Sequence, residues 1–179
     1  MAAQHNSATG PATGPATGPP DAVKKLFVRV AENARAAGVF ASVEVVGTGD
    51  RVDCAALEAA APANYGAEFD HAKAAVYVGL TMADRWLSES IESQLVEHGD
   101  KMEELLEDEL VELDYFVAGG TAITKIEHFR SDAKLFTFRA VVALGPGEAD
   151  SQKNVVIVSK ALLAFEACFR QLGDMQGGE

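Results

Sequence analysis

Glu68-Phe69-Asp70-His71 carries the one metal-like spacing in the chain, because a glutamate and a histidine three residues apart can share a helix face and reach one ion. A di-iron centre of that kind needs two such pairs and two further carboxylates on long facing helices. Here there is one pair, next to a loop signal, so the stretch reads as exposed polar residues before a strand. No metal and no cofactor is expected. His98 falls on the apolar stripe of a helical pattern; it reads as a half-buried imidazole at a helix break, with a ligand or a pH-responsive core group as the alternative. His128 beside Glu127 reads as an outward strand pair rather than an acid/base couple.

The other common constellations are missing from the sequence. Gly47-Thr48-Gly49-Asp50 lacks the Lys-Ser/Thr that holds phosphate and Mg²⁺, and Gly145-Pro146-Gly147 has proline where a backbone donor is wanted. There is no Gly-x-Ser-x-Gly elbow. Neither Cys54 nor Cys168 has a histidine close in sequence, and both sit among apolar residues where a free thiol packs well, which suits a reducing compartment. No catalytic residue is assigned. The balance is against an enzyme, and the question stays open to groups that meet only in three dimensions.

Charge narrows the partners. The 179 residues carry a formal net charge of -12, which argues against nucleic acid and anionic membrane, since both require a cationic face. Residues 97 to 114 hold nine acidic groups against one lysine, while residues 115 to 153 hold five basic and four acidic ones. Such a run is first a solvated helix face. Glu103, Glu104, Glu107 and Asp108 also repel one another on successive turns, so a cation or a basic partner that neutralised them would relieve that strain. Trp86, at the edge of the same helical stripe, reads as a core anchor.

The elements that would position these groups follow from periodicity. Residues 8 to 19 are three copies of Ala-Thr-Gly-Pro closed by Pro20, so residues 1 to 20 read as a disordered tail. Residues 21 to 173 read as a single domain, with a disordered end over 174 to 179. Val23, Leu26, Phe27, Val30 and Ala34 mark a helix that stops at Gly38. Val39 to Val45 and Arg51 to Ala55 read as a hairpin, residues 56 to 72 as a short helical piece and a loop, and Ala74 to Leu80 as a third strand. Thr81 and Asp84 have the form of a capping box ahead of an apolar stripe running from Leu87 to Leu113, kinked or broken near Gly99-Asp100. Tyr115 to Val117 and Thr121 to Phe129 read as strand. Phe136, Phe138, Ala140, Val142 and Leu144 share one strand face, with Thr137 and Arg139 on the other. Val155, Val158, Leu162, Phe165, Phe169 and Leu172 form a narrow helical seam.

The expected fold is therefore α+β, a mostly antiparallel sheet of about five strands packed with N-terminal, long central and C-terminal helices. This order and acidity across residues 21 to 173 resemble the small dimeric chaperones of type III secretion and the related YbjN-like family, whose sheet is covered by an N-terminal and a C-terminal helix. The resemblance implies a chaperone-like protein binder.

The leading functional expectation is accordingly a non-catalytic protein-binding domain, chaperone-like or adaptor, acting as a homodimer. Its partners would be a second copy, with Val158, Leu162, Phe165 and Phe169 as the dimer interface, and a basic or apolar protein segment. Alternatives are an enzyme or small-ligand binder using Glu68, His71, His98 or His128, and a structural subunit of a phage or secretion assembly. A pocket lined by two or more of those four groups would favour a ligand site; a flat apolar patch on the sheet or last helix would favour a protein interface. The N-terminus lacks the basic and continuous apolar regions of a secretory signal, and runs such as Ala140 to Leu144 are too short to span a bilayer, so the expected location is the cytoplasm.

Overall fold

The computed structural model describes residues 21–98, 101–114 and 123–175, with only the backbone of His98 and Thr124. The Ala-Thr-Gly-Pro repeat, Gly99-Asp100, the strand expected at Tyr115 to Val117 and the last four residues lie outside the described residues. The elements are α1 (Asp21–Ala37), β1 (Phe40–Val46), β2 (Arg51–Ala56), β3 (Ala63–Asp70), β4 (Ala75–Met82), α2 (Arg85–His98), α3 (Met102–Glu112), β5 (Ile123–Arg130), β6 (Phe136–Val142) and α4 (Gln152–Arg170), followed by a 3-10 turn, η1 (Gly173–Met175).

One antiparallel sheet of six strands results, in the order β1-β2-β3-β4-β6-β5. Helices occupy one of its faces. α1 buries Val23, Leu26, Phe27, Val30, Ala31 and Ala34, the i, i+3, i+4 set of an amphipathic helix, and ends at Gly38 with φ +69. α4 lies between α1 and α3 over β3, β4 and β6 and buries residues on nearly every side. The apolar members of each strand point at these helices: Val52 and Cys54, then Tyr65 and Ala67, Val78 and Leu80, Phe138 and Ala140. Their alternate neighbours point to a face that no described helix covers.

Several expectations are corrected. β3 stands where a helical piece and loop were expected; Ala63, Tyr65, Ala67 and Phe69 alternate with polar residues and glycine, a strand pattern that its small residues and Pro62 obscure. Thr81 belongs to β4, and Asp84 alone caps α2, its Oδ1 accepting from the backbone N–H of Leu87 at 2.8 Å. The break expected within the long central stripe is present, by contrast: α2 ends at His98 and α3 begins at Met102, with Lys101 at the cap of the second. The domain runs past 173, since Met175 is buried and the carbonyl of Asp174 accepts from Ala60 N–H at 3.0 Å.

The seam of Val158, Leu162, Phe165 and Phe169 is also corrected as a dimer interface. All four are 0% exposed within the single chain. Phe165 stacks on Phe169 at 5.6 Å, and Phe169 touches Phe138 of the sheet at 5.2 Å, so the seam is intramolecular core and has no surface to offer a second copy. Trp86 departs in the opposite sense: 75% exposed, it anchors no core.

Both sheet edges are partly blocked by helix side chains. Arg35 of α1 donates to the carbonyl of Val43 on β1 at 2.9 Å, and Glu103 of α3 accepts from Ile126 N–H on β5 at 3.3 Å. Each removes a backbone group that an edge strand would otherwise present for pairing.

Cys54 and Cys168 are unpaired and buried, and burial pushes each thiol up to about 12. The thiolate is the reactive form. Neither should react with iodoacetamide in the native protein at pH 8, whereas both should alkylate in denaturant; mass spectrometry counts the adducts. Labelling of the native form within minutes would place a thiol at the surface.

Candidate functional site

The uncovered face of the sheet is the site. At its centre Gly66 of β3 and Gly79 of β4 lie directly opposite each other, so two adjacent strands lack side chains at the same level. Asp53 of β2 faces Gly66 from one side, and Arg139 of β6 faces Gly79 from the other. These four positions form a row across the strands, and Glu127 of β5 extends it beyond Arg139. Three strand spacings separate Asp53 from Arg139, about 14 Å of backbone. A glycine inside a strand often marks close approach by something other than its own neighbours.

A concavity of about 610 Å³ lies over this row. The β3–β4 turn, with Asp70 to Ala72, borders one end; the β5–β6 loop, with Ser131, Ala133 and Leu135, borders the other. That volume lies in the range of small-molecule pockets.

Arg139 is held on several sides. Its guanidinium lies 4.3 Å from the ring centroid of Tyr77 and 4.7 Å from that of Phe129, and its Nε donates to Glu127 Oε2 at 2.9 Å. Two aromatic faces and one carboxylate hold the planar group in place. Tyr77 is itself nearly buried, and its hydroxyl meets Lys73 Nζ at 2.9 Å. On the opposite side Arg51 donates to Asp53 at 2.6 Å. At the rim His71 Nε2 lies 2.8 Å from Asp50 Oδ2, and that hydrogen bond holds the Asp50 carboxyl below the usual carboxylate range.

Of the groups expected from sequence, the fold brings Glu68 and His71 to this cavity, but on a strand and a turn rather than a helix. Glu68 comes within 4.0 Å of Arg51. Among the described residues no cluster of three or more His, Cys, Asp or Glu could hold a metal. His128 does not point outward with Glu127 as expected. Neighbours on a strand alternate, so Glu127 lies on the uncovered face beside Arg139 while His128 turns to the helical side and stacks on Phe138 at 3.9 Å. There its Nε2 lies 3.5 Å from Ser88 Oγ and 3.6 Å from Glu92 Oε1. Both partners meet the same ring nitrogen, and Ser88 is fully buried, so this trio lacks the relay geometry of a nucleophilic triad. The side chain of His98 lies outside the described residues.

The acidic residues of α3 are exposed except Glu109, which is half-buried and accepts from Gln171. Glu104 pairs with Lys101 at 3.0 Å, Glu103 tethers the β5 edge, and Glu107 and Asp108 face solvent. One carboxylate is different: Glu166 of α4 is only 5% exposed, and burial raises its pKa despite Arg170 Nε at 3.4 Å. A carboxyl whose folded pKa is raised holds more protons folded than unfolded, so stability falls as pH rises through its ordinary value of 4.5. Glu166→Gln should therefore gain on the parent as pH goes from 4 to 7, measured by urea midpoints at both values. A constant difference would show that Glu166 is not desolvated.

Arg139, Tyr77, Phe129 and the two glycines were not singled out by sequence. The available signals were an arginine on the non-apolar side of the clearest strand and a glycine inside each of two strands. The chain matches no family model, no curated protein and no solved structure. No helix among the described residues is long and apolar enough to cross a membrane.

Proposed function

We propose that the chain is a binding protein whose uncovered sheet face takes a small ligand. One observation carries the reading. The cavity has a glycine floor and convergent polar groups, and it is lined by two of the four residues whose meeting would favour a ligand site. Binding rather than turnover is supported by the engagement of its polar groups: Arg139 with Glu127 and Arg51 with Asp53 form ion pairs, His71 is hydrogen-bonded with Asp50, and none is a nucleophile poised by a base.

The test is native mass spectrometry of the protein purified gently from its host. A ligand of roughly a few hundred daltons should appear as an adduct. It should be lost in Gly66→Val, which fills the floor, while the circular dichroism spectrum is unchanged. An adduct retained in that variant would move the site elsewhere.

A second reading, a chaperone-like or adaptor protein in the cytoplasm, is supported by Trp86 and by the acidic face of Glu104, Glu107 and Asp108. With the α4 seam inside the core, a homodimer of this kind would use the α2 and α3 surfaces. Trp86→Ala should abolish capture of a polypeptide under this reading and leave a small-molecule adduct untouched.

A further inference from the structure

Resting on the ligand-site reading, we infer that the cavity takes a small planar molecule bearing a single carboxylate, which Arg139 holds. Three of the four lining carboxylates have hydrogen-bond partners: Asp53 accepts from Arg51, Asp50 meets His71, and Asp70 accepts from the N–H groups of Ala72 and Lys73; Glu68 makes no hydrogen bond among the described residues and lies 4.0 Å from Arg51, and Glu127, beside the cavity, accepts from Arg139. Arg139 is only partly used. Its Nε meets Glu127, and its two terminal nitrogens make no hydrogen bond to any described residue. A guanidinium edge with two free, parallel donors fits the two oxygens of a carboxylate.

The rest of the ligand follows from the floor. Gly66 and Gly79 line the cavity without side chains, so its floor between Asp53 and Arg139 is backbone, on which a planar ring can lie. The volume of about 610 Å³ is that of a small-molecule pocket. The lining carboxylates of Asp50, Asp53, Glu68 and Asp70 disfavour a dianion, so a monoanionic carboxylate suits the site better than phosphate.

The experiment uses the full ¹⁵N-labelled chain and four probes: benzoate, its neutral isostere benzamide, its cationic isostere benzamidine, and inorganic phosphate. Benzoate should shift the amides of Gly66 and Gly79 saturably and bind at least tenfold more tightly than the other three. Arg139→Gln should lower the benzoate affinity about tenfold with little effect on benzamide. Glu127→Gln should raise it a few-fold, because a carboxylate that competes for the same guanidinium is gone; a purely structural role for Arg139 would not produce that gain. Tighter binding of benzamide or benzamidine at the two glycines would keep the ligand site and overturn the carboxylate. Phosphate binding as tightly as benzoate would overturn the planar class, and benzoate binding indifferent to both substitutions would overturn the role of Arg139. If no probe moves the glycine amides, the ligand site and this inference both fall.

Discussion

Replacing Phe165 with glutamate should leave no cooperative thermal transition and an unfolded circular dichroism spectrum at 25 °C. Phe165 is 0% exposed and sits in an aromatic series that links α4 to the sheet: Phe165 to Phe169 at 5.6 Å, Phe169 to Phe138 at 5.2 Å, and Phe138 to His128 at 3.9 Å. Truncating a buried phenylalanine alone costs about 3–5 kcal/mol. An unpaired carboxylate in the same place adds several more through desolvation, or forces its own protonation. Together these approach or exceed the roughly 5–15 kcal/mol that holds a typical domain folded. A variant that stayed folded and only changed its sedimentation would return Phe165 to an intermolecular surface and contradict the packing of α4.

Gly79→Ala should destabilise the protein by about 3 kcal/mol, near the upper end for overpacking, and lower its thermal midpoint by about 10 °C. The added Cβ would lie 2.4 Å from the carbonyl oxygen of Phe138 and 2.9 Å from Arg139 Cβ. Neither is the free end of a flexible chain. Relief therefore requires β4 and β6 to move apart at the centre of the sheet, where Gly79 and Arg139 face each other in the ladder. The companion change Gly66→Ala makes a useful contrast, because its Cβ would meet Val52 O at 3.1 Å and Asp53 Oδ1 at 3.3 Å. Shifts of a few tenths of an ångström relieve both contacts, so its cost should stay below about 1 kcal/mol. Calorimetry of the two variants decides the point; equal midpoints would mean that the β4–β6 ladder adapts freely around Gly79.

Much of the architecture is local and was legible in the residues. The spacing of Val23, Leu26, Phe27 and Val30 marks α1, and the alternation of Phe136, Phe138, Ala140 and Val142 marks β6, because an element that buries one face repeats its apolar residues with its own backbone period. The stripe from Leu87 to Leu110 was equally visible, together with the break in its middle. β3 escaped because alanine, glycine and asparagine carry so little of that contrast.

Two conclusions required the tertiary structure. An apolar seam shows that a helix is buried but not against what, and the neighbours of α4 are α1, α3 and the sheet rather than a second copy. The cavity depends on strand order in the same way. Arg139 meets Gly79 because β6, 60 residues downstream, pairs with β4, and it meets Glu127 because β5 folds back on the other side of β6. Side-chain period places Arg139 and Gly79 on the non-apolar side of their strands from sequence alone. Only the long-range hydrogen-bond register brings them level, since register is set by the packing of the whole apolar face and by the turns, not by the residues that end up beside each other.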